Sequence, residues 1–160
     1  MAEQQEELGA ALEGYKAKVD TTTKATLTWS RELIFAGRTP QGYELDFDAE
    51  AQWGCKPTES LLLSLGGCMA IDILSILRKM RLEISACRIE LTGERNPVPP
   101  QYFRSVEMVI HLTGKNLDPR RIDRAIALSR QTYCSVYNSL RPDLALNVRY
   151  LLAEGSAAPV

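Results

Sequence analysis

The spacing of apolar and polar residues changes period along the chain, and each change marks an element. Thr22 to Ala36 is rich in Thr, Trp, Leu, Ile and Phe and reads as strand. Thr39-Pro40-Gln41-Gly42 is a turn signal. After it, Tyr43, Leu45 and Phe47 alternate with Glu44, Asp46 and Asp48, the period of a half-buried strand. These segments predict an N-terminal antiparallel sheet, followed by a loop over Ala49 to Lys56. Pro57 opens a helix expected to run from Thr58 to Arg81, with Glu59 complementing its dipole. Its apolar residues from Leu61 to Leu77 cover nearly every face, which predicts a buried helix. At about 1.5 Å per residue it would be about 36 Å long, as wide as a small domain.

Cys87, Ile89 and Leu91 alternate with Arg88, Glu90 and Thr92, and Val106, Met108, Ile110 and Leu112 repeat the pattern. The two strands form a hairpin-like pair around the Pro-rich loop Glu94 to Gln101. Asp118 as N-cap and Pro119 at the first position start another helix, with Ile122, Ala125 and Ile126 as its inner stripe. A short helix begins near Cys134, and Leu144, Leu146, Val148 and Tyr150 make a last strand. Residues 1–17 read as a polar extension, residues 18–154 as one domain, and residues 155–160 as a loose tail. Strands and helices fall in separate runs, so the class is α+β.

Composition narrows the function. The chain has 160 residues, 45% apolar and 24% charged, the balance of one ordinary globular domain. Nineteen basic residues against 20 acidic ones argue against a nucleic-acid binder or an anionic-membrane binder. The acidic start, MAEQQEELGAALE, predicts no signal peptide, and Gly66, Gly67, Asp72, Arg78 and Lys79 interrupt the longest apolar run, which predicts no membrane span. The expected location is the cytoplasm, where thiols stay reduced. Cysteines stand at 55, 68, 87 and 134, none in a C-x-x-C pair, and His111 is the single histidine. That spacing argues against a structural zinc site, and a mid-strand His111 argues against a serine–histidine–acid triad. Thiol chemistry is the option left best stocked.

Two segments concentrate the thiols. In P-T-E-S-L-L-L-S-L-G-G-C-M-A-I-D, residues 57–72, two glycines precede Cys68 in a helix interior. Each costs about 1 kcal/mol relative to Ala, and each lets a backbone or a substrate approach closely. In Y-C-S-V-Y-N-S-L, residues 133–140, Cys134 stands at a helix N-terminus, where amides and the dipole favour a thiolate. Sixty-six positions separate the two cysteines, so they can meet only through the fold.

Taken together, residues 57–81 and 133–140 resemble the OsmC/Ohr family of thiol peroxidases, over about residues 22–152. The G-G-C-x-A-I-D form is most similar to the OsmC-like branch. The resemblance implies an OsmC-like fold, with antiparallel sheets packed around a long central helix in an intertwined homodimer. It implies that Cys68 is the peroxidatic cysteine and Cys134 the resolving one, with a glutamate matched by Glu59 helping to hold a catalytic arginine. The reaction the resemblance implies reduces an organic hydroperoxide through a Cys68 sulfenic acid and a Cys68–Cys134 disulfide, reset by a dithiol such as a lipoyl-type donor. No cofactor and no metal are called for.

Two departures bear on the supporting residues. Glu59 precedes Cys68 by nine positions, one fewer than in the hydroperoxide-resistance branch, which shifts it about 100° around the helix. That branch takes its arginine from the N-terminal sheet, where Arg31 and Arg38 both qualify and Arg31 is favoured. Elsewhere, Cys87 reads as core, Cys55 as incidental or an extra thiol, and His111 as a surface or paired residue. Asp72 reads as a satisfied buried acid or a dimer contact, and Arg120, Arg121, Arg124 and Arg130 as a solvated face. Tyr133, Tyr137 and Trp53 are candidates for an apolar pocket. The competing function is a non-catalytic protein of the same fold that binds a small apolar ligand at the dimer interface.

Overall fold

A computed structural model describes residues 2–155. The expected tail at 155–160 lies outside the described residues beyond Gly155. The chain divides into two compact units, one of Lys16–Leu63 and one of Met1–Tyr15 with Ser64–Val160.

The first unit carries the sheet β1 (Thr26–Arg31), β2 (Ile34–Arg38) and β3 (Glu44–Asp48), antiparallel and in that order. The single strand expected over Thr22 to Ala36 is a hairpin instead. Arg31 pairs with Ile34, so Glu32 and Leu33 form the turn; Glu32 takes φ 45° and its carbonyl accepts the Trp29 indole N–H at 2.8 Å. A two-residue turn with positive φ matches the twist of the flanking strands, but an apolar run with Glu in the turn hides it from pattern reading. The next turn forms as expected, with the Gly42 N–H donating to the Thr39 carbonyl and Gly42 at φ 88°. Asp48 then organises the loop after β3. Its carboxylate accepts the N–H groups of Glu50, Gln52 and Trp53 at 2.8–3.0 Å, and these bonds hold its pKa below the ordinary value.

Helix α1 (Pro57–Lys79) begins in this unit and runs on through the other. By length and composition alone it could cross a bilayer. In this fold Leu65, Met69, Ile73, Ile76 and Leu77 are instead core residues. Burial on all faces is not observed: Leu61, Leu63 and Ile71 stay exposed, the last two at 64% each. The glycines divide the same way. A Cβ on Gly66 would stand 2.6 Å from Leu91 Cδ1, so the bare backbone lets the helix sit against the sheet, whereas Gly67 has nothing near it.

The second unit carries the larger sheet. Strands β4 (Glu83–Arg95) and β5 (Phe103–Lys115) form the expected antiparallel hairpin, and Val106, Met108, Ile110 and Leu112 are buried as their alternation predicts. The last strand, β6 (Ala145–Glu154), pairs with β5 in parallel, so this sheet is mixed rather than purely antiparallel. The connection between β5 and β6 carries helices, which is what a parallel return requires. Helix α2 (Pro119–Leu128) starts as predicted, with the Asp118 carboxylate accepting the Arg120 N–H at 3.0 Å. Its Ile122 and Ala125 are fully buried. A π-helical turn, Ser129–Tyr133, follows and was not legible in the sequence; then comes the five-residue helix α3 (Ser135–Ser139). Residues Ala2–Leu12 form a further helix, the N-terminal helix, tied to α1 by the Lys79 ammonium donating to the Ala11 carbonyl at 2.6 Å.

Candidate active site

Three elements of the second unit converge on one point. Cys68 and Asp72 stand four residues apart on α1, and therefore on one face of it. Cys134 ends the π-helical turn and caps α3. The two sulfurs and an oxygen of Asp72 lie within 4.8 Å of one another. All four cysteines carry free thiols. Cys134 and Asp72 are fully buried, while Cys68 is half-buried and so is the approachable thiol of the pair.

The surrounding hydrogen bonds fix this geometry. The Tyr15 hydroxyl donates to one oxygen of Asp72 at 3.0 Å, and the buried Ser129 hydroxyl donates to the other at 3.2 Å. Ser129 reaches Asp72 from the π-helical turn, and the Ser129 carbonyl accepts the Cys134 N–H at 2.8 Å. One added residue in a helical turn thus aims a hydroxyl and a thiol at the same carboxylate; π-turns of this kind recur at functional sites. The Cys134 sulfur accepts the Tyr137 N–H at 3.3 Å, and its carbonyl accepts the Asn138 side-chain amide at 2.9 Å. The Tyr15 and Tyr133 rings meet edge to face with centroids 5.0 Å apart.

The electrostatics correct one expectation. A thiol at a helix N-terminus should be acidic, yet Cys134 is pushed up to about 11. Burial is the main cause. The Tyr137 N–H opposes it, while the hydrogen bond with Cys68 and the negative charge of Asp72 push the same way as burial. Desolvation penalises the thiolate more than one amide at the end of a five-residue helix can offset. Burial therefore favours the protonated form of Cys134. Cys87, away on β4, is also raised by burial.

The other sequence candidates lie in the first unit. Glu59 makes half of a capping box: its carboxylate accepts the Lys56 N–H at 2.8 Å at the start of α1. The Arg31 guanidinium stands over the Trp53 ring at 5.7 Å, and its charge acts on Asp48. Arg38 pairs with Glu44 at 2.6 Å. Cys55 bridges to Phe47 through its backbone. In the second unit, His111 pairs with Glu90 at 2.9 Å, as one of its two readings had it. Tyr133 lines a cleft of about 390 Å³ with Leu8, Leu12, Arg124 and Leu128, so the N-terminal helix forms one wall of it. Tyr137 takes Arg130 on its ring face at 5.4 Å. Sequence reasoning left Asp72 as a satisfied buried acid or a dimer contact and did not single out Ser129 or Tyr15. Asp72 had a signal, a lone acid one turn after Cys68 in an apolar helix; Ser129 and Tyr15 had none.

A fold of two small sheets and a long helix, with a two-cysteine centre, defines a class before any comparison is made. The family model for OsmC-like protein matches residues 47–149, and the chain belongs to that family. Protein YhfA of Escherichia coli K12 is 33% identical over 128 residues, which span 79% of this chain and 94% of that protein. A crystal structure of a protein from Aquifex aeolicus VF5 superposes with a TM-score of 0.78 at 28% identity, covering 86% of this chain and all of that one. The organic hydroperoxide resistance protein OhrB of Bacillus subtilis shares the fold, with a TM-score of 0.57 at 15% identity over 81% of this chain and 98% of that one.

Proposed function

We propose that this protein is a thiol-dependent peroxidase for organic hydroperoxides. The observation that carries the reading is the pair of free thiols, one half-buried and one fully buried, within 4.8 Å of each other. The Cys68 thiolate attacks the terminal oxygen of ROOH. The O–O bond breaks, the alkoxide leaves and takes a proton, and Cys68 becomes a sulfenic acid. Cys134 then attacks that sulfur; its proton and the sulfenic hydroxyl leave as water, and the disulfide forms. A dithiol such as a lipoyl-type donor returns both cysteines to thiols by exchange. A half-buried Cys68 that a peroxide can approach, beside a fully buried Cys134, supports this division of roles. Arg31 is proposed to orient the peroxide oxygens and Glu59 to support it; both assignments rest on the resemblance in sequence.

The working unit is proposed to be a homodimer in the cytoplasm, where reductant keeps the pair open. Exposed Ile71 and the bare backbone at Gly67 on α1 support a second copy packing there, since an apolar helix face in water is unfavourable. Ile71→Lys should convert a dimer to a monomer in sedimentation analysis.

Mass spectrometry before and after one equivalent of cumene hydroperoxide tests the chemistry. The expected result is a loss of two hydrogens that links Cys68 to Cys134, with Cys68→Ser unable to consume tert-butyl hydroperoxide in the presence of a dithiol. Unchanged consumption by Cys68→Ser would overturn the assignment.

A further inference from the structure

The same point in the fold carries a donor set that peroxide chemistry does not require. We infer that Cys68, Cys134 and Asp72 form a binding site for a thiophilic divalent cation such as Zn²⁺, with two sulfur donors, one carboxylate oxygen and a fourth position open beside half-buried Cys68.

Three features lead there. The donor atoms lie within 4.8 Å of one another. With Zn–S of about 2.3 Å and Zn–O of about 2.0–2.2 Å, a tetrahedral site needs donors about 3.5–3.8 Å apart, so small side-chain adjustments suffice. Next, the carboxylate is held from both sides by the Tyr15 and Ser129 hydroxyls, as ligating carboxylates usually are. Finally, the donors belong to well-anchored elements: Cys68 and Asp72 share a face of α1, and Cys134 is fixed by bonds to its own N–H, carbonyl and sulfur.

The class of cation follows from the donors. Two sulfurs suit Zn²⁺, Co²⁺ or Cd²⁺ and disfavour Mg²⁺ and Ca²⁺, which require oxygen. The spacing argument that set zinc aside looks for ligands close in sequence. This set combines an i, i+4 pair with a residue 66 positions from Cys68, a pattern that only the fold assembles. Metal binding and disulfide formation exclude each other, because the disulfide consumes both sulfur donors. The bound ion would shield the thiols from peroxide, and oxidation would eject it. The site stands whether or not the chain reduces peroxides, so its test is separate.

The reduced full-length chain is titrated with Co²⁺ without air. One equivalent per chain should give a thiolate-to-cobalt charge-transfer band, bleached by Zn²⁺ and unaffected by excess Mg²⁺. Cys68→Ser and Cys134→Ser should abolish the band or weaken binding at least tenfold. Asp72→Asn should weaken it at least tenfold, and Cys87→Ser should leave it unchanged. No band in the wild type, or equal affinity in Cys134→Ser, overturns the site. If Asp72→Asn fails to fold, Asp72→Ser takes its place, and a band of unaltered position and affinity in that variant removes the carboxylate from the donor set and overturns the site.

Discussion

The burial of Cys134 has a thermodynamic consequence. Its thiol sits at about 11 in the folded chain against an ordinary 9.0, the proton being held by desolvation and then by Cys68 and Asp72. The folded state therefore binds this proton more tightly than the unfolded state does. Below pH 9 both states keep it, and the stabilising difference is fully present. Between pH 9 and about 11 the unfolded chain releases the proton while the folded chain retains it, so stability falls as pH rises. A difference of that size is on the order of 2–3 kcal/mol, most of it lost by the upper end of the window. Many groups titrate there, so the difference between wild type and Cys134→Ser is the measurement. Urea unfolding at half-unit steps from pH 7.5 to 11 should show the wild type losing about 2–3 kcal/mol more than Cys134→Ser across the window. The kinetic counterpart is alkylation of the native protein mapped by mass spectrometry, in which Cys68 reacts at pH 8 while Cys134 does not. Parallel pH profiles for the two proteins, or equal alkylation of both cysteines at pH 8, would refute the argument that burial controls this thiol.

Other substitutions probe the supports of the site. Tyr15→Phe removes a hydrogen bond to a fully buried carboxylate and should cost about 1.5–3 kcal/mol in urea unfolding. Gly66→Ala places a methyl 2.6 Å from Leu91 Cδ1. Overpacking of about 1–3 kcal/mol against a helix-propensity gain of about 1 should leave a net loss of up to about 2 kcal/mol. Leu91→Ala in the same chain should relieve the clash, so the double variant should be more stable than additivity predicts. Asp118→Ala removes the side-chain cap of α2 and should lower stability by about 1 kcal/mol, with Asp118→Ser recovering most of it.

The chain's own pattern determined the α+β class, the long helix from Pro57, the β4–β5 hairpin, the Asp118-Pro119 helix start and the short helix behind Cys134. Each of these is encoded locally, by a period of two or of about 3.6 or by a cap residue beside its helix. It also marked Cys68 and Cys134 as the thiols to watch; that they meet was implied by the family resemblance and not by the local pattern.

The tertiary structure decided the rest. The β1–β2 turn was hidden because Glu32 adopts positive φ inside an apolar run, a conformation set by strand pairing and the Trp29 indole rather than by turn residues. The parallel pairing of β6 depends on a partner about 40 residues away, and an alternating pattern is the same for either direction. Glu59, a candidate for the site by its position, accepts the Lys56 N–H with one carboxylate oxygen, a local helix-start bond that the fold adds to its proposed role. The protonation of Cys134 is the sharpest case. Sequence alone shows a helix N-terminus and points to a thiolate; the fold buries that terminus beside Asp72 and Cys68, and desolvation wins. Local rules set which groups the chain offers, but the free energy of a charge depends on everything packed around it, and that is fixed only when residues 15, 68, 72, 129 and 134 come together.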